Sequence, residues 1–69
     1  MERTAVSSST IRAIGYEAES TTLEVEFNSG AVYQYHGVPQ DLFDGLMQAE
    51  SKGRYLNANI KGSYGHTKL

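Results

Sequence analysis

The residues best suited to binding chemistry are concentrated in the last third of the chain. They are four cations, two tyrosines and two asparagines: Lys52, Arg54, Tyr55, Asn57, Asn59, Lys61, Tyr64 and Lys68. Cations attract phosphate whatever the base sequence, tyrosine can stack on an unpaired base, and asparagine can hydrogen-bond to a base edge. These residues therefore predict a nucleic-acid-binding surface. The alternative is that Lys52 contacts a helix end, a tyrosine packs in the core, and the other charges keep the chain soluble.

The charges of the chain are divided unevenly along its length. The net charge is −2, but residues 1–50 contain all eight acids against only Arg3 and Arg12, a net charge of −6. Residues 51–69 contain the other four cations and no acid, a net charge of +4. A polyanion is attracted to the second segment and repelled from the first, which favours RNA as a partner.

Catalytic and metal chemistry find little support in the sequence. The 69 residues include no cysteine, and the two histidines, His36 and His66, are far apart. A histidine near Asp41 or Asp44 could transfer protons, but no Ser–His–Asp order or phosphate-binding glycine loop is present. We expect His36 to be solvated at a strand end and His66 to lie in a tail without a role. The sequence predicts neither an enzyme nor a bound metal or cofactor.

The elements that must position these residues begin with a small antiparallel sheet. Three strands, near residues 11–17, 22–28 and 31–36, are predicted to form a meander. The clearest signal is the stretch LEVEF, in which apolar side chains alternate with two glutamates, as in a strand with one buried face. The segment NSG supplies the turn after it.

The lengths of the turns determine which face of the sheet the two tyrosines of the segment YQY occupy. A three-residue loop sets Tyr33 opposite Val25 and Tyr35 opposite Leu23, so both rings fall on the apolar face. A turn at Glu19 and Ser20 agrees, because it aligns the first strand with the same face. We therefore expect the rings to pack under a helix with their hydroxyls at the rim. The alternative is that the rings form a stacking surface for bases. The two glutamates on the other, open face repel phosphate and disfavour base stacking across that face.

Helices are predicted after the sheet. A helix near residues 39–51 starts with Pro39 and has an apolar stripe, and Gly45 within it allows close packing on the sheet. A short second helix contains Leu56 and Ile60, and a flexible tail starts at about residue 62. The sequence thus predicts one α+β domain over residues 1–69, with the order β-β-β-α-α.

The order of several short motifs resembles the KTSC domain. The motifs are IGY at 14–16, LEVEF before a glycine turn, YQY at 33–35, VP at 38–39, SKGRYLN at 51–57, and the later Ile60 and Tyr64. The resemblance implies the C-terminal domain of some lysyl-tRNA synthetases, which also occurs as free-standing small bacterial and phage proteins. RNA binding has been suggested for such domains, without established functional residues. The chain has no synthetase catalytic region, so aminoacylation does not transfer to it.

Protein interaction or self-association is the second functional hypothesis. A three-stranded sheet has two unpaired edges that can recruit a strand from a partner or from a second copy. The small size and the missing disulfides favour such association. No stretch is long and apolar enough to span a membrane, so we expect a cytoplasmic protein without membrane contact.

Overall fold

The computed structural model describes residues 2–69, which form a five-stranded antiparallel sheet with two helices packed on one face. The elements are β1 (Arg3–Ala5), β2 (Ile11–Glu17), β3 (Thr22–Phe27), β4 (Val32–Tyr35), α1 (Gln40–Gln48), α2 (Lys52–Asn59) and β5 (His66–Lys68). Neighbouring strands follow the chain order, from β1 at one edge to β5 at the other. The predicted α+β class is confirmed. Neither helix is long and apolar enough to cross a membrane.

The three central strands pair in the predicted register. Val25 lies opposite Tyr33 and Leu23 opposite Tyr35, while Tyr16 pairs with Leu23 on the other side of β3. Gly30, with φ of 95°, closes the β3–β4 loop in a conformation that glycine adopts without strain. The apolar side chains of the three strands consequently share one face of the sheet.

The prediction of only three strands is wrong. Strand β1 pairs with β2 through Thr4 and Ile14, and β5 pairs with β4 through Thr67 and Gln34. The segment expected to be a flexible tail from about residue 62 thus contains a paired strand. Both added strands have three exposed residues, so backbone hydrogen bonds to the existing sheet, rather than burial of side chains, hold them in place.

A β-bulge interrupts the start of β2. Ile11 pairs with Phe27 but Ala13 pairs with Glu26, so that Arg12 is the extra residue. The bulge turns Ile11 into the core, where it is fully buried, and leaves Arg12 on the side of the glutamates. Its Nη1 atom lies 3.6 Å from Oε2 of Glu26. A regular strand would have placed Arg12 on the apolar face.

The core lies between the sheet and the two helices. Its buried members are Ile11, Ile14, Leu23, Val25, Tyr35, Val38, Leu46, Leu56 and Ile60. Of the two central tyrosines, Tyr35 is 2% exposed and belongs to this core, whereas Tyr33 is half-buried at its margin. The prediction that both rings lie on the apolar face is confirmed, but only one is enclosed.

Both predicted helices are present, but the first ends at Gln48, earlier than the predicted end near residue 51. Ala49 has extended backbone angles, φ −68° and ψ 140°, and ends α1. Ser51 then caps α2, because its Oγ accepts a hydrogen bond from the Arg54 backbone N–H at 3.4 Å. Lys52 and Gly53, expected at the end of the first helix, therefore begin the second.

Gly45 packs against Tyr55 of α2, and not on the sheet as the sequence predicted. A Cβ atom at this position would lie within 2.8 Å of Cζ of Tyr55 and closer still to its hydroxyl oxygen. Only a glycine leaves room for the Tyr55 ring, which explains a glycine inside α1 despite its cost of roughly 1 kcal/mol in helix propensity.

Candidate nucleic-acid interface

Three of the predicted residues lie together on one face of α2 and of the turn after it. Arg54, Asn57 and Lys61 are spaced three and four residues apart, which places them on the same side of a helix. Leu56 and Ile60, on the opposite side, are 1% and 0% exposed. Their burial fixes the rotation of α2, so that the polar side faces solvent.

The turn after α2 places Lys61 at the edge of the sheet. The backbone N–H groups of Ile60 and Lys61 both donate to the carbonyl of Leu56, at 3.0 and 2.8 Å. The Nζ atom of Lys61 lies 5.8 Å from the centroid of the Phe27 ring. At this distance the ammonium group is attracted by the ring and stays close to it.

A first groove, here called the cationic groove, runs between the Ser8–Thr10 loop and α2. It has a volume of about 260 Å³ and is lined by hydroxyl groups of the loop on one side and by Arg54, Asn57 and Lys61 on the other. Within residues 2–69, no carboxylate lines it. Two cations and several hydrogen-bonding groups facing one channel suit a chain of phosphates.

A second groove, here called the aromatic groove, opens beside the first. It has a volume of about 400 Å³, and its main lining residues are Phe27, Tyr33, Tyr35, His66 and Lys61. Thr10, Phe27 and Lys61 line both grooves, which are therefore adjacent. This part of the apolar sheet face lies beyond the helices and is not covered by them.

The other predicted site residues lie outside the two grooves. Lys52 donates from Nζ to the Ala49 carbonyl at 3.2 Å, and Asn59 donates from Nδ2 to the Tyr55 carbonyl at 3.2 Å. Tyr55 and Tyr64 pack against the core. Lys68 lies opposite Tyr33 in the β4–β5 pair, so that it borders the aromatic groove on the exposed edge strand.

The open face of the sheet, away from the helices, is less acidic than the sequence predicted. Nε of Arg3 lies 3.2 Å from Oε2 of Glu24, and Arg12 pairs with Glu26. Gln34 donates to Oε1 of Glu24 at 2.9 Å, and Glu24 is only 6% exposed. Charges on this face are thus matched and its polar groups are engaged with each other, which leaves little to hold a polyanion.

The two histidines have different surroundings. Nε2 of His36 lies 2.9 Å from Oγ1 of Thr67 on the open face, where the histidine is exposed. The His66 ring is 5.7 Å from that of Tyr33 and 5.8 Å from that of Tyr35, centroid to centroid. Within residues 2–69, no three acidic or histidine side chains are grouped to hold a metal ion.

The buried tyrosine of the groove, Tyr35, keeps its proton at neutral pH. Burial raises the pKa of Tyr35 above its ordinary value of 10.0, and the neighbouring Tyr33 adds to the increase. Burial also raises the pKa of Tyr16, at the other end of the sheet, with a smaller effect from Asp44. The hydroxyl of Tyr16 donates to the Val38 carbonyl at 2.6 Å and so holds the connection that leads into α1.

Sequence reasoning did not find the aromatic groove. Its walls come from β3, β4 and β5, and β5 is too short for a periodic signal. One signal was present: in the segment HTK, His66 and Lys68 alternate with Thr67, as in a strand with two faces. The shared face of Arg54, Asn57 and Lys61 was also readable from their spacing.

The same fold and sequence pattern occur in known proteins. The family model of the KTSC domain matches residues 7–64, and the chain belongs to this family. A crystal structure of a KTSC domain protein from Yersinia pestis matches with a TM-score of 0.96 and 41% identity, covering 99% of this chain and 96% of that one.

Relatives occur both as small proteins and as parts of larger ones. An uncharacterized protein from Stutzerimonas stutzeri is 46% identical over 61 residues, covering 88% of this chain and 86% of its own length. A lysine–tRNA ligase from Nostoc punctiforme is 41% identical over 61 residues, which is 88% of this chain but 11% of the ligase. The domain is therefore found within lysine–tRNA ligases as well as in proteins of its own size.

Proposed function

We propose that this KTSC domain binds RNA through the cationic groove and is not an enzyme. The observation that carries the proposal is the grouping of Arg54, Asn57 and Lys61 on one wall of a groove without a carboxylate lining. The opposite wall supplies hydroxyl groups from Ser8, Ser9 and Thr10, which are ordinary donors to phosphate oxygens.

The relatives provide a second line of support. Three lysine–tRNA ligases contain a segment about 41% identical to this chain, and their name states that they act on tRNA. A domain joined to such an enzyme gains from even a weak affinity for RNA, because the rest of the protein supplies further contacts. We extend the affinity for RNA, but not the ligase activity, to this chain.

The expected affinity is low and depends on salt. Arg54 and Lys61 line the cationic groove and Lys68 lies opposite Tyr33 on β5, so only a few phosphates are neutralised. Contacts of this kind give non-specific dissociation constants of about 10⁻⁴ to 10⁻⁶ M at physiological salt, and the affinity rises as salt is removed.

The free edges of the sheet do not favour the protein-interaction alternative. Strands β2 and β4, which were expected to be the edges, are both paired on two sides. The edges in residues 2–69 are β1 and β5, with three residues each. Very short edge strands are poor templates for an added strand.

The test is a titration of isotope-labelled protein with a short oligouridine at low salt, followed by NMR shifts of each backbone amide. We expect shifts at residues 8–10, 54–57 and 61, and small changes around Glu24 and Glu26. The variant His36→Ala, on the open face, serves as a control and should bind like the unaltered protein. Absence of shifts at low salt, or shifts centred on the open face, would refute the proposal.

A further inference from the structure

The aromatic groove leaves two rings at the margin of the core partly uncovered. Phe27 and Tyr33 are half-buried, and their rings face a volume of about 400 Å³ that neither helix fills. This volume is within the range of small-molecule sites, roughly 300–1,000 Å³. Side chains that only complete a core would be covered, as Tyr35 is at 2% exposure.

Of the three aromatic neighbours of the Tyr33 ring, only Tyr35 lies near-parallel to it, at a long offset-stacking distance. The centroid of the Tyr33 ring is 5.7 Å from that of Phe27 at an interplanar angle of 84°. The His66 ring is also 5.7 Å away and is tilted by 51°. Tyr35 is closer to parallel, at 24°, but its centroid is 6.5 Å distant. Planar heteroaromatic groups stack well on rings presented in this way.

One cation lines this groove and a second lies opposite Tyr33 on the neighbouring strand. Lys61 lines both grooves, with Nζ beside the Phe27 ring. Lys68 is opposite Tyr33 on β5, on the same side of the sheet. Thr10 and Ser29 line the groove with hydroxyl groups that can reach the polar edge of a ring. Aromatic walls beside cations match a planar base beside its phosphates.

We propose that the aromatic groove holds one unpaired base of a single-stranded RNA, stacked against Tyr33, while the adjoining phosphates lie on Lys61 and the cationic groove. The inference rests on the proposed RNA binding and adds that the RNA bound is single-stranded. A base in a duplex is stacked and paired and cannot enter, so single strands are preferred over duplexes. Because every base has an aromatic face, the site does not select strongly among the four bases.

The test compares two oligonucleotides of equal length, an oligouridine and an abasic ribose-phosphate chain. Both present the same phosphates, but only the first presents bases. We expect the oligouridine to bind about 5- to 150-fold more tightly, the range of one stacked base. Equal affinities would overturn the inference and leave phosphate binding intact, whereas absence of binding by both at low salt would overturn the proposed function too.

Substitutions test whether Tyr33 is the stacking residue. Tyr33→Val keeps a residue suited to a strand but removes the ring, and it should bring oligouridine affinity down to that of the abasic chain. Tyr33→Phe keeps the ring and should bind normally. Phe43→Val removes a half-buried ring that stacks on Tyr16, 4.8 Å away and outside the groove, and controls for loss of an aromatic side chain.

A second variant covers the case in which Tyr33→Val fails to fold. His66 is exposed on the edge strand β5, and His66→Ala should lower the preference for oligouridine over the abasic chain while the protein stays folded. If folded Tyr33→Val and His66→Ala proteins both kept the full preference, the base would bind elsewhere and the inference would be wrong.

Discussion

Removing the two groove cations together should change the salt dependence of RNA binding. In the variant Arg54→Gln with Lys61→Gln, both substituted side chains are exposed and line the cationic groove. For a single strand, the logarithm of affinity falls with the logarithm of salt by about 0.7 per phosphate contact. Two lost contacts should reduce this slope by about 1.4. Between about 50 and 200 mM salt, the unaltered protein should thus lose about sevenfold more affinity than the variant.

The assay is fluorescence anisotropy with a labelled oligouridine over a series of salt concentrations. Arg12→Gln is the matched control, because it removes an exposed cation of the same type from the open face. This control alters the general attraction of the protein for a polyanion but not a phosphate contact, so its slope should stay unchanged. Urea unfolding checks that the double variant is folded. Loss of the Lys61 contact with Phe27 should cost no more than about 1 kcal/mol.

The outcome that contradicts this reasoning is a double variant with the same salt slope as the unaltered protein. The phosphates would then lie elsewhere, whatever the affinity. A slope that falls equally in Arg12→Gln would show that net charge, and not the groove, determines binding.

The remaining predictions concern the fold that positions the grooves. Gly45→Ala should lower the free energy of unfolding in urea by about 1–3 kcal/mol, because the new methyl group overlaps the Tyr55 ring. Adding Tyr55→Phe should restore part of this loss. A Gly45→Ala protein more stable than the unaltered one would contradict the packing. Burial raises the pKa of Tyr35, so the folded state keeps its proton longer than the unfolded state. Stability should therefore be unaffected by this group below pH 10.0 and fall above it; thermal melts of Tyr35→Phe should show a smaller alkaline loss. Leu46→Ala, in the core, should lower the free energy of unfolding measured in urea by about 2–5 kcal/mol. Tyr33→Ala, at a half-buried position, should lower it by less.

The central sheet could be predicted from the sequence because two independent signals agreed. Alternation in the segment LEVEF identifies the buried face, and the turn lengths on either side set the pairing of Tyr16 and Tyr33 with it. A shift by one residue in either hairpin would expose every apolar side chain of that strand. The register is therefore determined by local pattern alone.

The two edge strands and the exact position of the helix break could not be predicted in this way. Strands β1 and β5 bury no side chain, so their sequences contain no hydrophobic pattern, and only the presence of β2 and β4 stabilises them. Ser51 is a helix-capping residue, but Lys52 and Gly53 after it also fit a helix end, so the first helix was predicted to extend to residue 51 instead of Gln48. The hydrogen bond from Arg54 to Ser51 distinguishes the two arrangements only in three dimensions.

The candidate site was predictable in its cations and not in its rings. Arg54 and Lys61 are close in sequence and share a helical face, so the charge of the C-terminal segment indicated where the cationic groove lies. Tyr33 and His66 are distant in sequence and become neighbours only because β5 returns to β4. The sequence showed the two tyrosines as core residues, and the structure leaves one of them at the opening of a groove.

The position of β5 also separates the two functional hypotheses. A second copy that adds a strand to β4 must first displace β5, because Tyr33 and Tyr35 already pair with Lys68 and His66 along that edge. Displacement would remove the His66 ring and the Lys68 charge from the aromatic groove. RNA binding through the groove needs β5 in place, whereas association through β4 needs it released. The two hypotheses therefore require different states of the same three-residue strand.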